Sequence, residues 1–145
     1  MKIRKAEIRD LSALKLISNE QFKNENLRPK FKHLQKDANY QIKIIEDGDN
    51  IFGYIVIKCL DKYLFDIYSM AIKQEYQGKG YGKKILEKVL FQSKVLGATI
   101  IFLEVRVSNY RAIDFYEKFG FKRDAIRYNY YAGSPKEDAL SLIHI

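Results

Sequence analysis

The sequence predicts an α+β domain of mixed α/β order: a mostly antiparallel, twisted central sheet of about seven strands, with one parallel pair and helices on both faces. Three observations predict it. The apolar periodicities alternate between two and 3.6 residues and read β-α-α-β-β-β-α-β-α-β-β along the chain. Residues 63 to 107 run strand, glycine-rich turn, helix, strand, which requires one parallel, right-handed crossover. Three of the remaining connections, at 47–50, 61–62 and 133–138, are short turns or loops, and such connections make antiparallel neighbours.

A chain of 145 residues is expected to form one domain, 1–145, large enough to bury about two-thirds of its unfolded surface. Its 47% hydrophobic and 30% charged residues are those of an ordinary globule. No apolar run approaches the length of a membrane span, so no membrane partner is expected. The start, Met1-Lys2-Ile3-Arg4-Lys5, lacks the apolar core of a signal peptide. The one cysteine, Cys59, has no partner for an internal disulfide and reads as a small core residue. A cytoplasmic setting is therefore expected. The two histidines and Cys59 lie far apart, so no metal site is expected. The net charge of +8 suits a polyanionic ligand, and a Lys-rich solvated surface accounts for it equally well.

Lys2 to Glu7 alternates as a first strand. Asp10 is placed to cap a helix that carries Leu11, Leu14, Ile17 and Phe22 at helical spacing. Residues 23 to 38 are polar and basic, with Pro29 where a short second helix can begin. Strands are expected over Tyr40 to Ile45 and Ile51 to Leu60, joined by the turn Asp47-Gly48-Asp49-Asn50, with Gly53 marking a bulge. After a turn at Asp61-Lys62, Tyr63 to Ile72 is a long strand. From Gly82 the period is helical, with Ile85, Leu86, Val89, Leu90 and Leu96 on one face and Gly97 past the end. Ala98 to Val107 is an apolar strand. Ser108 or Asn109 caps a helix that runs through Phe119 and stops at Gly120. Phe121 to Tyr131 and Ala139 to Ile145 are the last strands, joined by the loop 133–138.

The stretch Gln77-Gly78-Lys79-Gly80-Tyr81-Gly82-Lys83 is the chemical signpost of the chain. Glycine accepts φ > 0 and lets a backbone approach a ligand without a Cβ in the way. A glycine turn at a helix start aims free N–H groups and the positive dipole end at one spot, which suits a phosphate. The dinucleotide fingerprint needs G-x-G-x-x-G, and a Walker loop needs Ser or Thr after its Lys; the chain has neither. What remains is Q-x-x-G-x-G.

Two further residues carry chemistry. In the strand Ala98 to Val107, alternation puts Ile100, Phe102, Glu104 and Arg106 on one face, so Glu104 is a carboxylate in a run that reads as buried. Taken alone, the strand favours an i, i+2 ion pair with Arg106. In the following helix Tyr116 shares a face with Ala112 and Phe119, and taken alone it reads as core packing with its hydroxyl at the surface.

The loop Gln77 to Gly82 resembles the pyrophosphate loop of the GNAT acetyltransferase superfamily. The segment Leu103-Glu104-Val105-Arg106-Val107-Ser108-Asn109, followed by Ala112-Ile113 and Phe115-Tyr116-Glu117-Lys118-Phe119-Gly120-Phe121, resembles the LEVR-x-SN…A-I-x-x-Y-E-x-x-GF block of the ribosomal-protein-alanine N-acetyltransferases. Arg127-Tyr128-Asn129-Tyr130-Tyr131 with Glu137-Asp138-Ala139 resembles that family's ending. The three motifs stand in the family's order within residues 50 to 145.

The resemblance implies a GNAT fold with the parallel pair at the cofactor site, and acetyl-CoA as co-substrate. It implies Glu104 as general base and Tyr116 as general acid. It implies that Met70, Ala71 and Ile72 hold the pantetheine arm, that Gln77, Gly78, Lys79, Gly80, Tyr81, Gly82 and Lys83 hold the pyrophosphate, and that Asn109 and Tyr116 also meet the cofactor. Such residue types suit the chemistry: an α-amine of pKa near 8 must lose a proton before attacking a thioester, and a thiolate leaving group is helped by a phenol donor. The expected acceptor is the α-amine of a protein or peptide, a ribosomal protein among them. A small amine such as a polyamine, an amino acid or an antibiotic is the alternative, and a non-catalytic acyl-CoA-binding module is the third. No nucleic-acid-binding motif is present, so no direct nucleic-acid contact is expected. A monomer or weak dimer is expected. The family's FPW-type motif is absent here, where Phe22 to Phe31 reads FKNENLRPKF and the chain has no Trp. Ser69 stands where an Asn is common and Tyr81 where a smaller aliphatic is common. The acceptor question therefore rests on residues 22 to 36.

Overall fold

The elements are those of a computed structural model in which residues 1–133 and 135–145 are described. Ser134, inside the loop expected at 133–138, lies outside the described residues. Seven strands form one sheet: β1 Lys2–Lys5, β2 Tyr40–Asp47, β3 Asn50–Cys59, β4 Leu64–Ile72, β5 Ile100–Arg106, β6 Lys122–Tyr131 and β7 Glu137–His144. Their order is β1-β2-β3-β4-β5-β7-β6, with β4 and β5 parallel and every other pair antiparallel. The helices are α1 Leu11–Gln21, α2 Phe31–Lys36, α3 Tyr81–Val95 and α4 Tyr110–Lys118.

Helices cover both faces, as expected. One core cluster joins α3 and α4 to the sheet through Ile85, Leu86, Val89 and Ile113 against Ile55, Ile57, Ile101 and Leu103. The other joins α1 and α2 through Leu14, Ile17 and Phe31 to Ile42, Ile44, Tyr54, Val56 and Ala71. That second cluster includes no residue of β5, β6 or β7, so the same face of the sheet is left open beyond β4.

Gly53 does mark a bulge: Ile45 pairs with Gly53 and Glu46 with Ile51, leaving Phe52 as the extra residue. A Cβ on Gly53 would stand 2.5 Å from the Ala71 carbonyl oxygen, so only glycine fits. A second bulge lies in β4, where Val56 pairs with Ser69 and Ile57 with Ile67, leaving Tyr68 unmatched. The expectation of one uninterrupted strand over 63–72 missed it. Its signal is a change of parity: Phe65 and Ile67 face the first cluster before Tyr68, and Met70 and Ile72 face it afterwards.

Several boundaries move by local chemistry. The first strand stops at Lys5, and a 3₁₀ turn at Ile8–Asp10 precedes α1. Asp10 makes no side-chain cap to α1. Its carboxylate accepts the Glu7 N–H at 2.7 Å and pairs with Arg4 at 2.8 Å, because Arg4 and Glu46 offer a buried ion triad. The helix at Pro29 begins two residues later, at Phe31, and an unforeseen 3₁₀ turn occupies Glu25–Leu27. Asn109, not Ser108, caps α4, accepting from the Ala112 N–H at 3.2 Å. Gly97 and Gly120 end their helices at φ +107° and +91°, as their positions predicted. The last strand starts at Glu137 instead of Ala139, because Tyr131 pairs with Glu137 and Arg127 with Ala139.

Candidate active site

The site opens where the parallel pair comes apart. β4 and β5 are paired only at Leu64↔Ile100, Phe65↔Ile101 and Asp66↔Phe102. Beyond that the Tyr68 bulge bends β4 away, and the two strands diverge toward their carboxyl ends. Ligands of such sheets bind in this crevice.

Along β4 the backbone groups alternate between β3 and the crevice. The Lys73 N–H donates to the Phe52 carbonyl of β3 at 2.7 Å. One residue back, Ile72 therefore points its groups the other way, Ala71 points toward β3, and Met70 points into the crevice. Gln77 donates its Nε2–H to the Ile72 carbonyl at 2.9 Å and reaches Gln21 Oε1 at 3.1 Å. The Met70 and Ile72 N–H groups remain as donors on the crevice wall.

The crevice continues into the glycine loop as a cleft of about 870 Å³, lined by Met70, Ala71, Ile72, Gln77, Gly78, Gly80, Gly82 and Lys83 on one side and by Asn109 and Tyr116 on the other. Gly78 and Gly80 hold φ of +76° and +88°, and a Cβ at either would meet nothing within 4 Å, so backbone conformation alone selects glycine there. Gly80 is the N-cap of α3, whose first N–H groups have no carbonyl one turn earlier. With Lys83 they form an electropositive end to the cleft, and the arrangement fits a pyrophosphate. Two residues of the loop turn elsewhere. The Tyr81 ring packs 4.5 Å from Phe52, which leaves only its backbone at the cleft. Lys79 lies outside the lining, with Nζ 5.7 Å from the Tyr76 ring centre.

Glu104 lines a second cleft of about 430 Å³, which shares Met70, Asn109, Ala112 and Tyr116 with the first. Its side chain is 11% exposed and pairs with Arg127 Nε at 3.2 Å. Arg106, the partner expected from the strand alone, pairs instead with Glu137 at 3.1 Å and stacks 4.4 Å from the Tyr131 ring centre. Register explains the exchange. Arg106 faces Ala139 and Glu104 faces Ser141 on β7, and these two small residues let Arg127 reach across from β6. The strand is also less buried than its composition implied: Ile101, Leu103 and Val105 are covered, whereas Phe102, Glu104 and Arg106 lie on the open face. Burial raises the Glu104 carboxyl above its ordinary range, and Arg127 opposes the rise.

Tyr116 does pack in the first core cluster, yet its hydroxyl ends in the crevice 3.7 Å from Met70 Sδ, not at the outer surface. Burial pushes this phenol up to about 12, so it stays protonated and able to donate.

One wall of the second cleft is built from the region in question. Phe22, Lys23, Asn24 and Leu27 line it, together with Tyr68 and Tyr131. Arg28 holds this loop closed by donating Nε–H to the Phe22 carbonyl at 2.7 Å and Nη2–H to the Lys23 carbonyl at 3.1 Å. Lys30, Lys32 and Lys36 do not line either cleft. Sequence reasoning missed Arg28, Arg127 and Asp66. Arg127 reaches Glu104 from another strand, and Arg28 closes a loop of five to six residues that has no period to announce it. Asp66 stands in the apolar run Leu64-Phe65-Asp66-Ile67, the same signal that singled out Glu104.

Comparison with known proteins agrees with this geometry. The sequence profile of the Acetyltransferase (GNAT) family matches residues 6–121. A [ribosomal protein bS18]-alanine N-acetyltransferase of Haemophilus influenzae is 40% identical over 100 residues, 69% of this chain and 66% of that protein. Several other curated relatives of that name are matched over about half of their length, 51% for the Escherichia coli protein. A Bacillus subtilis protein provisionally given the same name is 31% identical over 139 residues, 95% of this chain and 91% of its own. Among solved structures, the ribosomal-protein-S18-alanine N-acetyltransferase of Escherichia coli superposes with a TM-score of 0.84 at 25% identity, covering 98% of this chain and 91% of that one.

Proposed function

The chain belongs to the GNAT acetyltransferase family, and from that premise we propose that it transfers an acetyl group from acetyl-CoA to the N-terminal α-amine of a protein, a ribosomal protein foremost. The observation that carries this reading is the junction of the two clefts at Met70 and Tyr116, with Glu104 in one and the glycine loop at the far end of the other. One cleft suits an extended thioester with a pyrophosphate at its end. The other suits a chain terminus, since it is open and walled by Phe22, Leu27, Tyr68 and Tyr131. The similarly named relatives support the choice of acceptor.

The residues divide the work as follows. Gly78, Gly80 and the first turn of α3 offer backbone N–H groups to the pyrophosphate, with Lys83 adding charge. The crevice-facing N–H groups of Met70 and Ile72 hold the pantetheine arm and polarise the thioester carbonyl. Glu104 takes a proton from the acceptor ammonium, directly or through one water. The freed amine then attacks the carbonyl carbon, and the C–S bond breaks. Tyr116 donates its proton to the departing sulfur, and the second proton shed by the new amide nitrogen restores the phenol. Asn109, already engaged in capping α4 through its Oδ1, keeps its amide N–H groups for the cofactor. Base and acid each contribute about 10²–10⁴-fold.

Free-thiol release from acetyl-CoA tests this with three acceptors: peptides with a free N-terminal Ala, N-blocked peptides containing Lys, and polyamines. Turnover with the first is expected, and turnover confined to polyamines would overturn the reading. Glu104→Gln is expected to lower kcat more at pH 6 than at pH 9, where the amine loses its proton unaided. Tyr116→Phe is expected to slow transfer by about 10²-fold with acetyl-CoA affinity retained; a collapse of affinity would make Tyr116 a packing residue.

A further inference from the structure

Asp66 is half-buried, and its Oδ1 is the one buried carboxylate oxygen among the described residues that no hydrogen bond satisfies. It pairs with Lys58 across β3–β4 and with Phe102 across β4–β5. Paired residues share a face of a sheet, and so do residues two apart on one strand. Asp66 and Glu104 therefore lie on the same open face as diagonal neighbours, Glu104 one side-chain repeat along β5 from the residue paired with Asp66.

The charged and titratable groups around Asp66 come from four strands besides Glu104's own. Tyr40 of β2 and Tyr68 of β4 meet edge to face at 5.4 Å. Lys58 of β3 lies with Nζ 5.6 Å from the Tyr40 ring centre. Arg127 and Tyr130 come from β6. Arg127 is committed to Glu104, and neither cation makes an ion pair with Asp66 among the described residues. Asp66 is thus the poorly solvated, unpaired member of two neighbouring carboxylates, and Glu104 is the paired one.

We propose that Asp66 and Glu104 form one coupled carboxylate pair, in which Asp66 is a positioning residue that sets the proton affinity of Glu104. The inference rests on the reading of Glu104 as the base. Burial, and then the Glu104 charge, raise Asp66 to about 7. Asp66 keeps its proton below that pH, while Arg127 favours the ionised form of Glu104. Above it Asp66 ionises, and a second negative charge makes Glu104 a stronger base. This happens while an α-amine of ordinary pKa near 8 is still largely protonated. The N–H bond of the ammonium then breaks to form an O–H bond on Glu104, and the amine keeps the electron pair it uses on the thioester carbonyl.

The test combines kinetics and titration. The pH dependence of kcat/KM is measured with acetyl-CoA and an Ala-terminal peptide for the wild type, Asp66→Asn, Glu104→Gln and the double variant. The Asp66 carboxyl is also titrated by ¹³C NMR in the wild type and in Glu104→Gln. The wild-type profile is expected to show an ionisation near 7 that Asp66→Asn lacks. Asp66→Asn should lower kcat/KM at pH 8 by about fivefold and have no effect in the Glu104→Gln background. The Asp66 midpoint should fall in Glu104→Gln, where the like charge is gone. Superimposable wild-type and Asp66→Asn profiles would overturn the proposal, as would an equal effect of Asp66→Asn in both backgrounds. An unmoved NMR midpoint overturns it even if Asp66→Asn does not fold. If Glu104→Gln keeps full activity while the midpoint moves, the base role of Glu104 fails and takes this proposal with it. If Glu104→Gln is inactive and the midpoint stays, the pair alone fails.

Discussion

Arg127 Nε stands 3.2 Å from Glu104 Oε1, reaching over β7 from the edge strand β6. The carboxylate at the centre of the site is therefore held by a residue 23 positions away in sequence (127 − 104), on a strand that is otherwise exposed. Arg127 favours the ionised carboxylate, and burial opposes it. Arg127→Gln removes the favourable partner, so Glu104 should hold its proton to higher pH. Since half of the Arg127 side chain is exposed, the effect is discounted for screening. The acid limb of the kcat/KM profile is expected to move to higher pH, with the rate at pH 9 little changed.

Arg28 closes the loop that walls the acceptor cleft through two carbonyls, and neither bond touches the cofactor cleft. Hydrogen bonds from a charged donor contribute about 1.5–3 kcal/mol each. Arg28→Ala should raise KM for the peptide about tenfold, which corresponds to about 1.4 kcal/mol, and leave KM for acetyl-CoA unchanged. Faster hydrogen exchange at residues 22 to 27 should accompany it. Equal changes in both KM values would mean that the loop serves both clefts.

Gly80 and Gly82 separate conformation from contact. Gly80 sits at φ +88° in open space, so Gly80→Ala carries the left-handed penalty of about 1–2 kcal/mol. Gly82 is helical, and its added Cβ would meet Met70, Ile72 and Phe115 at ordinary distances of 3.5–3.6 Å. Gly82→Ala should therefore gain helix propensity of up to about 1 kcal/mol. Thermal unfolding should show Tm falling for the first variant and rising for the second.

Arg4, Asp10 and Glu46 form the buried triad that fastens β1 and the start of α1 to β2. Arg4 holds both carboxyls below their ordinary range. A carboxyl depressed on folding adds stability above its unfolded pKa, and that stability is lost as pH falls through the folded value. Stability should hold at pH 5 and fall below about pH 4. Arg4→Met leaves two buried carboxylates uncompensated and should cost about 3 kcal/mol at pH 7. Its urea midpoint should then depend much less on pH between 7 and 3, and an unchanged dependence would assign the acid sensitivity elsewhere.

Most of the fold was legible because it is local. Apolar periodicity located the strands and α1, α3 and α4, Pro29 pointed to α2, Gly97 and Gly120 located two helix ends, and the glycine loop located the start of α3. The 3₁₀ turns were not foreseen: at Ile8–Asp10 the Asp10 carboxylate answers to Arg4, outside the turn, and at Glu25–Leu27 a local cap, Asn24 accepting from the Asn26 N–H, holds a segment too short to show a period. The edge strand β6 was read as a strand, but its exposed face could not be read, since exposure depends on having no neighbour beyond it.

The sequence by itself determined the order of elements, the family resemblance, and the residue types that mark the candidate site, Glu104 and Tyr116, because periodicity, glycine conformation and motif spacing are properties of neighbouring residues. Only the tertiary structure decided who partners whom. Arg127 displaced Arg106 as the partner of Glu104, Tyr68 became a bulge that opens the crevice, the Tyr116 hydroxyl turned to Met70, and Asp66 came to lie beside Glu104. All of these except the Tyr116 contact, which α4 delivers, follow from strand register. A shift of one residue would send those strand side chains to the opposite face, and register is set by the whole sheet.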